Sequence, residues 1–388
     1  MILSPTETAG KEGLWKIPMP TTGSLALYIH IPFCRKQCPY CDFSTAPNGA
    51  KERIWYLRAL RKECSHYHAL LERHTISSIY FGGGTPSLFP KACQVVLDYL
   101  SQFSWKRYVE ITFEMNVEDL QEGLLHECSA MGINRLSLGV QTWEKKLLRL
   151  LGREAIQEGA LDLAYRLIPH LSIDLMYAIP GQTEEEIRRD LENVPKAPIS
   201  HISLYNLTIA PDSLLAKEGY REEESKLTTL QIYQNTLEMH GYKRYEISGF
   251  AHLGKEAVQN AHYWTGKPYL GLGASSHSYY GNTRWQNTPS ITGYCQSWEK
   301  STPPISHQES LPLKERQKEL LALGLRLLKG ICLTTFTKRE GTLLPEVTKR
   351  LFSLEQEGWI VRRQNQIFLS AQGIEWYDHV AATLIEHP

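Results

Sequence analysis

The chain has 388 residues and 44.4 kDa, enough for one large domain and a small one, and its forty-two basic and forty-two acidic side chains cancel, leaving no global field to attract phosphate backbones or anionic lipid. Neither a signal-peptide core in the opening MILSPTETAGKEGLWKIPMP nor a run of eighteen apolar residues is found, so secreted and membrane-spanning classes are set aside and a cytoplasmic protein is expected. Eight cysteines are too sparse for a disulfide scaffold, and three of them crowd into eight residues, as in a metal site kept in a reducing compartment.

An amino-terminal extension, 1–23, comes first. From Ser24 onward, short β-branched and aromatic runs alternate with longer amphipathic stretches, giving six βα pairs. Strands are predicted at 24–31, 76–81, 108–113, 133–140, 171–177 and 199–206, and helices near 51–73, 90–103, 117–131, 154–168, 183–194 and 223–240. Continuously apolar strands joined by helices imply a parallel sheet covered on its outer face. The expected fold class is therefore α/β, a barrel or incomplete barrel over 24–248, with chemistry gathered just past the strand ends.

After Gly249 the pattern breaks into a loop-rich segment, 249–300, taken to close the barrel mouth, and STPPISH (301–307) is read as a linker. Residues 301–388 then form a small winged-helix-like α+β domain: helices at about 313–328 and 344–358, a hairpin WIVRRQNQIFLS and a final helix. Between 305 and 388, eleven Lys or Arg stand against ten Asp or Glu, so the basic face of a nucleic-acid reader is missing.

The strongest chemical signal is YIHIPFCRKQCPYC, which sets Cys34, Cys38 and Cys41 at C-x3-C-x2-C after the first strand. Three thiolates can hold three irons of a 4Fe-4S cubane and leave the fourth iron open for a small molecule. The alternative is a structural zinc knuckle with His30 or Cys64 as fourth ligand, although structural zinc prefers two separated C-x2-C pairs. Cys64, Cys93, Cys128, Cys295 and Cys332 read as small core residues.

FGGGTP (81–86) follows the second strand and is neither a dinucleotide fingerprint nor a Walker loop; it reads as a tight turn or as backbone brought close to a ligand. Glu114, Gln141 and Asp174 sit at later strand ends, and Arg153 is expected to begin the helix after the fourth strand. Each alone reads as a surface or capping group; beside the cysteine triplet they read as the wall of one pocket.

The triplet, with Tyr40 before its last cysteine and GGGTP behind it, resembles the radical S-adenosylmethionine superfamily. YIHIPFC, GGGTPS, RLSLGVQ and IDLMYAIPGQT are similar to the branch that contains oxygen-independent coproporphyrinogen III oxidase and the HemW haem chaperones, over roughly residues 24–385. The resemblance implies a partial (β/α)6 barrel in which Cys34, Cys38 and Cys41 hold the cluster and S-adenosylmethionine chelates its free iron. It also implies that Tyr28, Tyr40, Gly83, Gly84 and Thr85 line that cofactor, and that Glu114, Gln141, Arg153 and Asp174 contact its methionine or ribose parts. An electron donor would reduce the cluster, which in the superfamily splits the sulfonium to a 5′-deoxyadenosyl radical.

The oxidase subgroup carries a further cysteine two residues after the third, where this chain has Phe43, and a longer amino-terminal extension than the twenty-seven residues before Tyr28. Both departures favour the chaperones, which bind haem and pass it to an acceptor protein; the alternative is radical decarboxylation of coproporphyrinogen III. A third reading is a scaffold without catalysis. The chaperone pattern H-N-x-x-Y-W stands here as Gln259, Asn260, Ala261, His262, Tyr263, Trp264, so glutamine replaces the first histidine. Imidazole is a common haem ligand and glutamine a poor one, so His262 or His277 is expected to take over ligation, against the plainer reading that His262 only packs. Tyr263 and Trp264 would offer flat walls to a porphyrin.

Overall fold

A computed structural model describes residues 23–41, 45–47, 49–223 and 226–386. The expected extension, all but its last residue, lies outside the described residues, as do Phe43 and residues 224–225 of the expected helix 223–240. Six parallel strands pair in chain order: β1 (Ser24–Ile31), β2 (Thr75–Gly83), β3 (Trp105–Asn116), β4 (Arg135–Gln141), β5 (Leu171–Tyr177) and β6 (His201–Asn206). Helices cover the connections, and β1 is buried along nearly its whole length, which is why SLALYIHI reads as a continuous apolar run.

The sheet extends past both of these strands. β7 (Lys243–Arg244) and β8 (Gly249–Ala251) continue from β6 in antiparallel fashion. On the other side, β9 (Tyr269–Leu272) lies parallel to β1, followed by antiparallel β10 (His277–Tyr280), β11 (Thr283–Asn287) and β12 (Ile305–Ser310). Among the described residues the result is one open sheet of 12 strands, with no pairing that closes β1 onto β6.

Three local differences from the sequence reading have physical causes. The segment 249–300 carries strands and two helices, Val258–Trp264 and Ile291–Glu299. Its glycines mask the strands: Gly271 lies inside β9 because a Cβ there would meet the His277 carbonyl oxygen at 2.1 Å. Residues 305–310, partly within the expected linker, form β12. Arg153 does not begin a helix; it follows the short helix Lys145–Leu150, and the next helix starts only at Ala160, after left-handed Gly159.

The carboxy-terminal unit has its own core, including Leu321, Leu325, Val347, Leu351, Ile367 and Val380. Its helices Leu313–Leu325, Leu333–Glu340, Pro345–Gln356 and Tyr377–Ile385 pack on a small sheet of Ile331–Cys332, Gln366–Leu369 and Ile360–Arg363. No helix among the described residues is long and apolar enough to cross a membrane.

Arg326 fastens this unit to the rest. Its guanidinium lies 4.2 Å from the ring centre of Trp264 and 5.0 Å from that of Tyr377, and its Nη2 is 3.5 Å from the buried Glu246 carboxylate. Arg326→Met leaves that carboxylate buried without its counter-charge and is expected to destabilise the protein by roughly 3 kcal/mol, most of which a second change, Glu246→Gln, restores. Urea unfolding of the two single variants and the double variant checks the coupling, and a double variant no better than Arg326→Met removes it.

Candidate functional site

Strands β2 to β6 and the loop after β1 border one cavity of about 720 Å3, and Cys34, Cys38, Cys41, Tyr40, Gly83, Gly84, Thr85, Glu114, Gln141, Arg153 and Asp174 line it. The cysteines lie on the loop after β1, each partly exposed and none in a disulfide. Cys34 sits in a two-residue strand that pairs with Ala46–Pro47, and Cys41 N–H donates to the Cys38 carbonyl at 3.0 Å. Two glycines seat this loop. At Gly84 a Cβ would meet the Phe33 carbonyl oxygen at 2.8 Å, and Gly83, at φ +110°, brings its α-carbon against the His30 ring.

Around the thiols stand groups whose hydrogen-bonding capacity is not fully used. Glu114 accepts from Tyr80 Oη at 2.6 Å and from Gly83 N–H at 3.1 Å, and burial pushes its carboxyl up to about 7. Burial likewise pushes Asp174, which accepts from Ser137 Oγ at 3.4 Å, up to about 6. Gln141, buried at the end of β4, holds the left-handed φ of +67°, and its Oε1 has no hydrogen-bond partner. Arg153 donates through Nη2 to the Gly139 carbonyl at 2.7 Å and places Nη1 3.8 Å from Cys38 Sγ, while its Nε is buried and unpartnered.

This donor set fits a thiolate-held cluster and a zwitterionic, cationic small molecule. Two buried acids near neutrality would ionise against a cation, and an arginine and an orphaned amide oxygen stand ready for carboxylate and amine. It does not suit zinc: Cys64 faces the core from the helix Ala50–His66, and His30 bonds Tyr28 Oη at 3.1 Å beside the second cavity described below. Asp119, absent from the sequence reading, anchors the loop by accepting from Arg35 and from Ser87 Oγ.

A second cavity, of about 710 Å3, adjoins the first at Gly83. Tyr28 and His277 line this one and not the first, and Tyr263, Trp264, Tyr269, Tyr279 and Trp285 make it aromatic. Helix Val258–Trp264 stands between the two: Asn260 lines the cysteine cavity, Tyr263 and Trp264 the aromatic one. His262 lines neither, because its Nε2 is 2.8 Å from the Pro268 carbonyl and its Nδ1 3.4 Å from Ser77 Oγ, inside the fold. Gln259 is buried as well and donates to Tyr263 Oη at 2.7 Å. Lys267 lines one end of the cavity, and burial, then Lys106, Lys329 and Arg339, pull its ammonium below the usual range, which suits that end to an anion. His307 on β12, also missed in the sequence because it falls in the supposed linker, lines the same cavity.

The buried acids set a pH dependence. Glu114 has an ordinary value of 4.5 and a folded value of about 7, so between these limits the folded chain binds more protons than the unfolded one and stability falls as pH rises. Buried Glu63, pushed up to about 7, contributes with the same sign elsewhere, so the informative quantity is a difference between proteins. In ligand-free protein, Glu114→Gln, which mimics the protonated acid, is expected to melt close to the wild type at pH 4.5 and a few degrees above it past pH 7 or so. Scanning calorimetry across that range decides it; a gap that does not widen with pH sinks the assignment.

Residues 28–194 match the family model of the Radical SAM superfamily, and residues 311–376 that of the HemN C-terminal domain. The chain is 31% identical over 363 residues to the heme chaperone HemW of Bacillus subtilis, covering 89% of this chain and 95% of that one. It is also 31% identical to HemW of Synechocystis, over 88% of this chain and 86% of that protein. Among solved structures it superposes on the coproporphyrinogen III oxidase HemN of Escherichia coli with a TM-score of 0.81 at 23% identity, covering 93% of this chain and 89% of that one, a likeness of fold. A chain so similar to HemW proteins along nearly their whole length, and built on this sheet with its cysteine loop, belongs to the HemW family of the radical SAM superfamily.

Proposed function

We propose that this protein is a haem chaperone: it takes haem into the aromatic cavity, keeps a 4Fe-4S cluster and S-adenosylmethionine in the adjoining one, and hands the haem to an acceptor protein. One observation carries the reading, namely two cavities of similar size that share Gly83, one bordered by three thiols and the other by aromatic rings, three imidazoles and a lysine. Membership of the superfamily implies the cluster and S-adenosylmethionine.

In this reading Cys34, Cys38 and Cys41 hold the cluster, and Tyr40, Gly83, Gly84 and Thr85 border its open side. Glu114 and Asp174 ionise against the cofactor's positive charge, Gln141 offers its unpartnered Oε1 to a donor, and Arg153 faces a carboxylate. When bound, the cluster supplies one electron, drawn from a separate donor, to the sulfonium. Tyr263, Trp264 and Tyr269 give the flat apolar surfaces a porphyrin needs, and Lys267 meets its propionates. His277 is the ligand to the iron: burial, then Arg284 and His307, hold its imidazole below the usual range and so neutral at physiological pH. His262 is left out of ligation because both ring nitrogens already face polar partners. A cytoplasmic setting accords with eight cysteines, none of them paired.

Anoxically reconstituted protein is expected to give a cubane Mössbauer spectrum that Cys38→Ser loses, and to leave coproporphyrinogen III undecarboxylated under reducing conditions. Decarboxylation would move the protein to the oxidase reading. Haem titration is expected to saturate at one per chain, and Lys267→Glu to weaken it about tenfold, ~1.4 kcal/mol, by setting a carboxylate against the propionates. An unchanged affinity would remove Lys267 from the site, and a chain that takes up no haem would end the chaperone reading.

A further inference from the structure

One wall of the cysteine cavity is a strained turn, and the group that holds this turn lies outside the cavity. Gln141 ends β4, where the pairing with β5 slips by one residue between Gly139 and Gln141. Across it the Thr142 N–H donates back to the Val140 carbonyl at 2.9 Å, and φ at Gln141 is +67°. A bond of that span around a positive φ makes a γ-turn of the rare, strained form, which persists only where the surroundings fix it. The side chain folds back over Gly139 beside Arg153: a Cβ on Gly139 would meet Arg153 Nη2 at 2.6 Å and Gln141 Nε2 at 3.0 Å. The amide oxygen beyond is buried and has no hydrogen-bond partner, as a group waiting for a ligand would be.

Asp190 is what fixes the turn. It stands on the helix Glu184–Asn193, fully buried and lining neither cavity. Its Oδ2 accepts from Thr142 Oγ1 at 2.6 Å and its Oδ1 from Trp143 N–H at 2.7 Å, so both carboxylate oxygens are spent on the two residues after Gln141. Thr142 Oγ1 accepts in turn from Glu144 N–H at 3.0 Å, and the neighbouring Arg189 holds the Glu144 carboxylate at 2.8 Å. The sheet thus sets one end of the turn and a buried carboxylate the other. Resting on the reading of this cavity as the site of the cluster and S-adenosylmethionine, we propose that Asp190 is a positioning residue for S-adenosylmethionine, acting through the turn to hold the Gln141 amide toward the ligand.

The test uses the full chain with its cluster reconstituted anoxically and reduced, and reads S-adenosylmethionine binding from the change it makes in the electron paramagnetic resonance of the cluster. Asp190→Ala is expected to weaken that binding about tenfold, as loss of a group supporting a ligand contact does, with cluster content and haem titration unchanged. Thr142→Val should act in the same direction, and Thr142→Ser, which keeps the hydroxyl, should restore the affinity. In a Gln141→Gly background the turn carries no strain and the amide is gone, so Asp190→Ala should change the affinity no further. Wild-type affinity in Asp190→Ala overturns the proposal, and so does a tenfold loss that recurs in the Gln141→Gly background. Should Asp190→Ala not fold, Thr142→Val, which leaves the carboxylate its bond to Trp143, decides by the same two comparisons. A wild type that holds a cluster yet binds no S-adenosylmethionine would instead take down the reading of the cavity itself.

Discussion

The close approach of backbone at Gly83 and Gly84 is the constraint on which both cavities depend. β1 and β2 stay in parallel register to their ends, with His30 opposite Gly82 and Ile31 opposite Gly83. There the GGG run has no room for side chains: Gly84 lies against the backbone of Pro32 and Phe33, and Gly83 against the His30 ring. The loop that carries the cysteines is thereby positioned relative to Glu114, which receives Gly83 N–H. The same dipeptide positions His30 and Tyr28 on the other side, where Tyr28 stacks on Tyr80 at 6.1 Å between ring centres, and Tyr80 in turn donates to Glu114. One stretch of main chain thus serves as a wall common to two sites.

Helix Val258–Trp264 completes that wall with one face. Residues three and four apart share a helix face, so Asn260, Tyr263 and Trp264 stand together where the two cavities meet, Asn260 on the cysteine side and the two rings on the aromatic side, while His262 turns into the core. Glu110 accepts the N–H groups of Val258 and Gln259, which places a carboxylate at the positive end of this short helix. Gln259 is consequently held where an amide can bond to Tyr263, and its character as a poor metal ligand costs the aromatic cavity nothing.

The six parallel strands and the cysteine cavity are legible in the sequence because both are local signals. Buried strands appear as unbroken apolar runs, and polar residues that share the mouth of a parallel sheet fall just past such runs, as Glu114 and Gln141 do, or interrupt one, as Asp174 does within LSIDLMY. What could not be read is non-local. β9 to β12 are short and rich in polar residues, because one face lines a cavity, and their one glycine, Gly271, tolerates a neighbouring strand's carbonyl that no side chain could. His307 gains its place only through pairing with Gln286, twenty-one residues back along the chain. Tyr28 on β1 stands in register with Tyr80 of the cysteine cavity and stacks on it, and it lines the adjoining aromatic cavity, a position at the junction that strand periodicity alone cannot give.

The carboxy-terminal unit shows why a winged-helix-like shape need not imply a nucleic acid. Its first helix, Leu313–Leu325, buries Leu321 and Leu325 in the unit's own core, and turns Glu319, Leu320 and Leu323 to the aromatic cavity. Gly324 lets this helix sit against Ile331, where a Cβ would fall 2.7 Å from the side chain. Arg326, directly after it, stacks on Trp264 of the partition helix and reaches Glu246 beside β7. A helix engaged on its own core, on a cavity and on a clamp has its faces committed to this chain. The unit therefore acts as the outer wall of the aromatic cavity, and Trp264 links that wall to the partition: it lines the cavity and also carries the charge of Arg326 on its ring. Across this seam the Arg326 cation–π contacts and its ion pair with Glu246 act beside backbone pairing of Glu246 with Leu327, the Leu328 N–H bond to the Tyr245 carbonyl, and Ile247 packed against the carboxy-terminal core.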